Sequence, residues 1–99
     1  MTITKEQNGS ALTLSLEGRL DTRTAPQLEA EISGMSTGIT TLTLDFASLE
    51  YISSAGLRVL LAAQKKMNTQ GEMTLIHVGD DIKEVFDITG FSDILTVKD

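Results

Sequence analysis

Any chemistry in this chain must come from hydroxyls, carboxylates, amines and a single imidazole, because the sequence contains no cysteine. Disulfides and thiolate metal sites are thereby excluded, and a small domain that does without disulfides suits a reducing compartment. His77 is the only histidine. It falls in a stretch that reads as the interior of a central strand, with no second histidine to share a metal. No Gly-x-Ser-x-Gly elbow occurs, so a serine activated by a nearby base has no sequence support. Asp80, Asp81, Glu84 and Asp87 form an acidic group, but without the loop spacing that wraps a hard cation in six or more oxygens. They read as a helix cap and a solvated helix face, and no metal is expected. Neither Gly-x-Gly-x-x-Gly nor Gly-x-x-x-x-Gly-Lys-Ser/Thr is present, so no nucleotide cofactor is expected.

One segment resists a purely structural reading. Between Asp45 and Arg58 the chain runs from a strand into a helix through Ser53-Ser54-Ala55-Gly56. Ser53 or Ser54 would serve well as an N-cap. Gly56, inside the first helical turn, costs roughly 1 kcal/mol relative to alanine. A glycine there implies close approach, either of a neighbouring strand or of a partner. The Ser54 hydroxyl would stand at the positive end of the helix dipole, where an added phosphate meets backbone N–H groups. Read from these residues alone, an ordinary cap remains the simpler account.

The elements that must position this segment follow from periodicity. Asn8-Gly9 suits a type I′ turn and predicts an opening hairpin; Asn8-Gly9-Ser10 as a glycosylation acceptor is the weaker reading. Leu12, Leu14 and Leu16 alternate with Ala11, Thr13 and Ser15, and Leu42, Leu44 and Phe46 alternate with Thr41, Thr43 and Asp45. Strands apolar on one side only argue against a sheet covered on both faces and for two layers. Met73 to Val78, apolar on both faces, is expected nearer the sheet centre, and Ile94 to Val97 as a short last strand. A first helix is predicted from an N-cap at Thr24, with Gln27 completing a capping box and Ala25, Leu28, Ile32 and Met35 along one stripe. A second runs from about Ser54 to Asn68 with Leu57, Leu60, Leu61 and Met67 inward, Lys65 and Lys66 answering its C-terminal dipole, and Gly71 as C-cap. A third starts at an N-cap Asp80, buries Ile82, Val85 and Phe86, and stops at Gly90. The expected fold is α/β, a two-layer domain with a mixed sheet of about five strands and helices on one face, in the order β-β-α-β-α-β-α-β.

Composition narrows the partners. Eight Lys and Arg against fourteen Asp and Glu give a net charge of −6, which opposes attraction to nucleic acid or an anionic bilayer. The longest purely apolar run, Val59 to Ala63, is far too short to span a membrane, and Met1 to Glu6 has no apolar leader-like stretch. With 99 residues and no linker or repeat, one domain covering 1–99 and a cytoplasmic location are expected.

The run from Asp45-Phe46 through Tyr51-Ile52-Ser53-Ser54-Ala55-Gly56-Leu57 resembles the signature of the anti-sigma factor antagonists, a family of STAS domains. Gly18-Arg19-Leu20-Asp21, Gly71-Glu72-Met73 and Val85 to Phe91 fit the same pattern in the same order. The resemblance implies a phosphoacceptor two residues before the loop glycine, which is Ser54, and a partner surface including Asp21, Ser53, Ser54, Ala55, Gly56 and Arg58. It implies no enzyme activity. It implies instead a partner-switching, transcription-regulating phosphoprotein: the unmodified domain binds an anti-sigma factor serine/threonine kinase and frees the sigma factor, the kinase phosphorylates the serine, and a PP2C-type phosphatase restores it. Many relatives carry aspartate where this chain has Ser53, and Ser or Thr where it has Ala55, so Ser53 is a second candidate acceptor and whether it competes with Ser54 is left open. Because the family includes other roles, the alternative is an interaction subunit of a transport or other signalling complex that is not regulated by phosphorylation.

Overall fold

The computed structural model describes residues 1–98. Strand β1 (Thr2–Asn8) and strand β2 (Ala11–Leu20) form the opening hairpin. They are followed by helix α1 (Ala25–Ser33), β3 (Thr41–Ile52), α2 (Ser54–Asn68), β4 (Glu72–Ile76), α3 (Asp80–Thr89), a 3-10 turn (Phe91–Asp93) and β5 (Val97–Lys98). The strands lie side by side in chain order, β1-β2-β3-β4-β5. β1 runs antiparallel to β2, and every later pair is parallel.

That order explains why the helices share one face. Each parallel step, β2 to β3, β3 to β4 and β4 to β5, moves the same way across the sheet through one helix. Since such crossovers are right-handed, all three helices fall on the same side. The strands carry the imprint: Leu12, Leu14, Leu16, Leu42, Leu44 and Phe46 are buried, while Thr13, Ser15, Thr41, Thr43 and Asp45 on the opposite face are half-buried. Leu28 and Ile32 of α1, Leu57, Leu60 and Met67 of α2, and Ile82 and Phe86 of α3 close the same core.

Several local expectations need correction. The hairpin loop is Gly9-Ser10, because Asn8 pairs with Ala11; of these residues only Gly9 has positive φ, so the turn is not type I′. The Thr24 side chain makes no capping bond to α1. Its hydroxyl donates to the Arg19 carbonyl at 2.6 Å and accepts from the Asp21 amide at 2.9 Å, competing uses typical of a residue in a turn. Met35 is buried but lies beyond α1. On α2, Val59 and Ala63 are buried and Leu61 only half so. Gly79 precedes α3 as its N-cap, Asp80 being the first helical residue, whereas Gly90 closes that helix in the left-handed conformation, as expected.

Gly71 is needed for a different reason than the one anticipated. It has no positive φ; instead a Cβ there would lie 1.9 Å from the Thr40 carbonyl oxygen. The chain passes too close to the entry of β3 for any side chain. β4 ends at Ile76 and is buried on one face only, with Thr74 and Ile76 half-buried, because α3 crosses only one side. His77 is therefore not a strand residue. It sits just past β4 with a φ of +56°, exposed, its Nδ1 2.9 Å from Asp45 Oδ1. The last strand pairs only Val97 and Lys98 with β4, and Ile94 is exposed before it.

Candidate functional site

The Ser53-Ser54 corner is carried by a two-stranded ribbon that outruns the rest of the sheet. β4 pairs with β3 only as far as Asp45, but β2 and β3 continue together to Leu20 and Ile52. Two register shifts, between Ser15 and Glu17 and between Gly18 and Arg19, each place one extra residue on β3. Such bulges bend and twist a strand. The alternation of β3 breaks there, with Ala47 and Ser48 both exposed.

At the ribbon's end Ser53 performs three jobs. Its amide donates to the Leu20 carbonyl at 2.9 Å, continuing the strand pairing by one bond, and its own carbonyl accepts from Leu57 N–H at 3.0 Å, opening α2. Its hydroxyl accepts from Gly56 N–H at 3.4 Å, a long capping bond from an extended N-cap residue. Ser54 follows as the first helical residue. It is exposed, and its hydroxyl has no hydrogen-bond partner among the described residues.

Gly56 answers the question of what approaches closely. A Cβ there would be 2.7 Å from Leu20 Cγ, 2.9 Å from Ile52 Cγ1 and 3.0 Å from the Leu20 carbonyl oxygen. The neighbour is the end of the ribbon, and Gly56 is buried beneath the surface that Ser54 presents. Ala55 is half-buried and Arg58 exposed. Together with Thr22, Ala25, Pro26, Glu29 and Val59 they line a groove of about 260 Å³ between the first turns of α1 and α2. A larger open depression of about 660 Å³, between Met1 and Leu49, includes none of the candidate residues.

Asp21 lies beside this corner, in the turn joining β2 to α1. Its Oδ1 accepts from the amides of Arg23 at 3.0 Å and Thr24 at 3.2 Å, and Oδ2 is 3.7 Å from Arg19 Nε. Desolvation works to raise its pKa, but the two amides, the Thr24 hydroxyl and the Arg19 charge together hold it below the ordinary carboxylate value. Asp21 thus shapes the turn that abuts Ser53. Arg19 and Tyr51 are functional candidates that the sequence reading passed over. They face each other across β2 and β3, with the guanidinium 4.2 Å from the ring centroid and Tyr51 42% exposed. Their contact depends on the second register shift, which no hydrophobic period reveals. Ser53, Ser54, Ala55 and Gly56 are consecutive at the corner, while Asp21 and Arg58 flank it on different elements.

Elsewhere, the pKa of Asp45 is also displaced: desolvation raises it, but the Ala47 amide and the His77 ring bring it below the ordinary value. No group of three or more histidine and acidic side chains could hold a metal among the described residues. Nor is any helix among them long and apolar enough to cross a membrane.

Residues 2–99 match the STAS domain family model, and the chain belongs to that family. BtrV of Bordetella bronchiseptica, provisionally assigned as an anti-sigma factor antagonist, is 38% identical over 99 residues, covering 98% of this chain and 85% of that protein. The anti-sigma-B factor antagonist of Listeria monocytogenes is 32% identical over 97 residues, covering 95% and 84%. Among solved structures, the anti-sigma factor antagonist SpoIIAA in its unphosphorylated form superposes with a TM-score of 0.79 at 21% identity, over 99% of this chain and 88% of that one. SpoIIAA in the phosphorylated form gives 0.77 at 20% identity, over 99% and 92%. At such identities the two structures speak for the fold alone, which agrees with the five-stranded mixed sheet and three helices described above.

Proposed function

We propose that this domain is an anti-sigma factor antagonist without catalysis of its own, acting in the cytoplasm by partner switching. Unmodified, it binds an anti-sigma factor serine/threonine kinase through the corner formed by Ser53, Ser54, Ala55 and Arg58 with Asp21 beside it. Phosphorylation of Ser54 ends that binding, and a PP2C-type phosphatase restores it. The names of the Listeria and Bordetella relatives support the regulatory class. The observation that carries the assignment to Ser54 is the division of labour between adjacent hydroxyls: Ser53 is engaged as the N-cap, whereas Ser54 is exposed and unengaged. Gly56 contributes by letting the helix sit low enough to present Ser54, not by touching the partner.

Phosphate adds about −1.5 to −2 charges at pH 7. Burying an unanswered charge in a contact costs several kcal/mol, and each 1.4 kcal/mol is about tenfold in affinity, so a hundredfold loss needs no refolding. The test is incubation with the cognate kinase and ATP, followed by mass spectrometry and binding measurements. Ser54→Ala should bind the kinase and accept no phosphate, Ser54→Asp should bind poorly while melting like wild type, and Ser53→Ala should remain a substrate. Phosphate on Ser53, or wild-type affinity in Ser54→Asp, would overturn the assignment. Absence of phosphorylation by any serine kinase would favour an interaction subunit that works unmodified.

A further inference from the structure

Arg58 stands four residues after Ser54 on α2, and side chains at i and i+4 lie over one another on a helix, with Cβ atoms about 6 Å apart. Both residues are exposed. An anion one turn N-terminal to a cation is the favourable order, since it also agrees with the helix dipole. Arg58 has no ion pair within 4.0 Å among the described residues, in contrast to Arg19, which is committed to Asp21 and Tyr51. The groove beside Arg58 contains one carboxylate, Glu29 of α1, and is otherwise walled by Thr22, Ala25, Pro26, Ala55 and Val59. Asp21 and Arg23 lie on the turn before α1, and Asp21 is occupied by that turn's own amides.

We infer that Arg58 is the internal counter-ion of phosphorylated Ser54, and that in the unmodified protein the same guanidinium is free to meet a carboxylate of the partner. The inference rests on the reading of Ser54 as the acceptor and says how that site switches. A guanidinium presents paired donors that match phosphate oxygens, and one helical turn brings the two groups together without moving the backbone. Phosphate then does two things at once. It places negative charge on the contact, and it withdraws the cation that the contact uses.

The test uses the full chain carrying phosphoserine at position 54, installed during translation so that no kinase is needed. The second ionisation of the phosphate, near pH 6 in an unperturbed phosphoserine, is followed by phosphorus NMR. Wild type should titrate lower than Arg58→Gln by roughly 0.1–0.4 pH units, the size expected of an exposed pair one turn apart. Arg58→Lys should retain most of that shift, Arg23→Gln should leave it intact, and 1 M salt should shrink it. Identical titration of wild type and Arg58→Gln overturns the counter-ion role. In the unmodified state, Arg58→Gln should bind the kinase about tenfold or more weakly, and wild-type affinity in that variant overturns the partner-facing role. Phosphoserine protein that binds the kinase as tightly as unmodified protein would refute the Ser54 switch itself, whatever the titration shows.

Discussion

Two neighbouring serines do different work because they sit on opposite sides of a boundary between extended and helical backbone. Ser53 has a ψ of 175° and turns its hydroxyl back to the Gly56 amide; Ser54, one residue on, projects from the helix. The glycine beneath them faces two opposing effects. Alanine at position 56 would gain about 1 kcal/mol of helix propensity, but its Cβ would meet Leu20 Cγ at 2.7 Å and the Leu20 carbonyl at 3.0 Å. Leucine can shift; a backbone carbonyl at a strand end held by Ser53 N–H cannot shift cheaply. Overpacking of this kind costs about 1–3 kcal/mol, so Gly56→Ala should be destabilised by a net 0–2 kcal/mol by these terms, measured by urea unfolding, and kinase binding should fall as the corner is lifted. A variant more stable than wild type would show that close packing is not why glycine is there. The sequence could pose this choice between strand and partner, but only the location of Leu20 beneath the first turn resolves it.

At the scale of elements, the segment between α1 and β3 is held by Lys66 of α2 and Gln70 just beyond it, as well as by turns of its own such as Ile39 N–H to the Ser36 carbonyl. Lys66 Nζ donates to the carbonyls of Ile32 at 2.9 Å, Met35 at 3.3 Å and Ser33 at 3.4 Å. Gln70 Nε2 donates to those of Ile39 at 2.7 Å and Ser36 at 3.0 Å. The lysine answers the C-terminus of α1, a different helix from the one its sequence position suggests. Hydrogen bonds from a charged donor contribute about 1.5–3 kcal/mol when well shielded. Lys66 is half-buried, so Lys66→Met, which keeps the apolar stem, should lose about 1–2 kcal/mol in urea unfolding. Exposed Lys65→Met should stay within about 0.5 kcal/mol of wild type. Equal effects at the two positions would refute the cross-helix cap. The strands and helices themselves were legible, because the alternation around Leu14 and Leu44 and the stripes of Leu28 and Leu57 are local signals. What was not legible depends on non-local backbone: the bulges in β3, the passage of Gly71 over Thr40, the left-handed His77 and the Arg19–Tyr51 contact. Ser54 as the proposed acceptor came from a family resemblance, and its freedom from capping from the structure.

For the molecule as a whole, the question is whether a phosphate at Ser54 can act locally. One contiguous cluster of buried side chains joins residues of β2, α1, β3, α2, β4 and α3 with Leu95; no part of the core is separable from the rest. A domain built this way should unfold in a single cooperative step. Ser54 is exposed and lies outside that cluster, whereas Leu20 and Ile52 pack against Gly56 on the inner side of the same turn. A charge added there can therefore reach solvent or Arg58 without opening the core, and the proposed binding switch needs no second packed state. The slope of unfolding free energy against denaturant scales with the surface exposed on unfolding, so it reports whether the folded state stays equally compact. Ser54→Asp and wild type should each show one transition in urea, with slopes equal within the error of the fit and midpoints close together. A lower slope or a second transition in Ser54→Asp, alongside weak kinase binding, would mean that negative charge at this corner loosens the domain and that loss of binding follows from rearrangement rather than from charge at the contact.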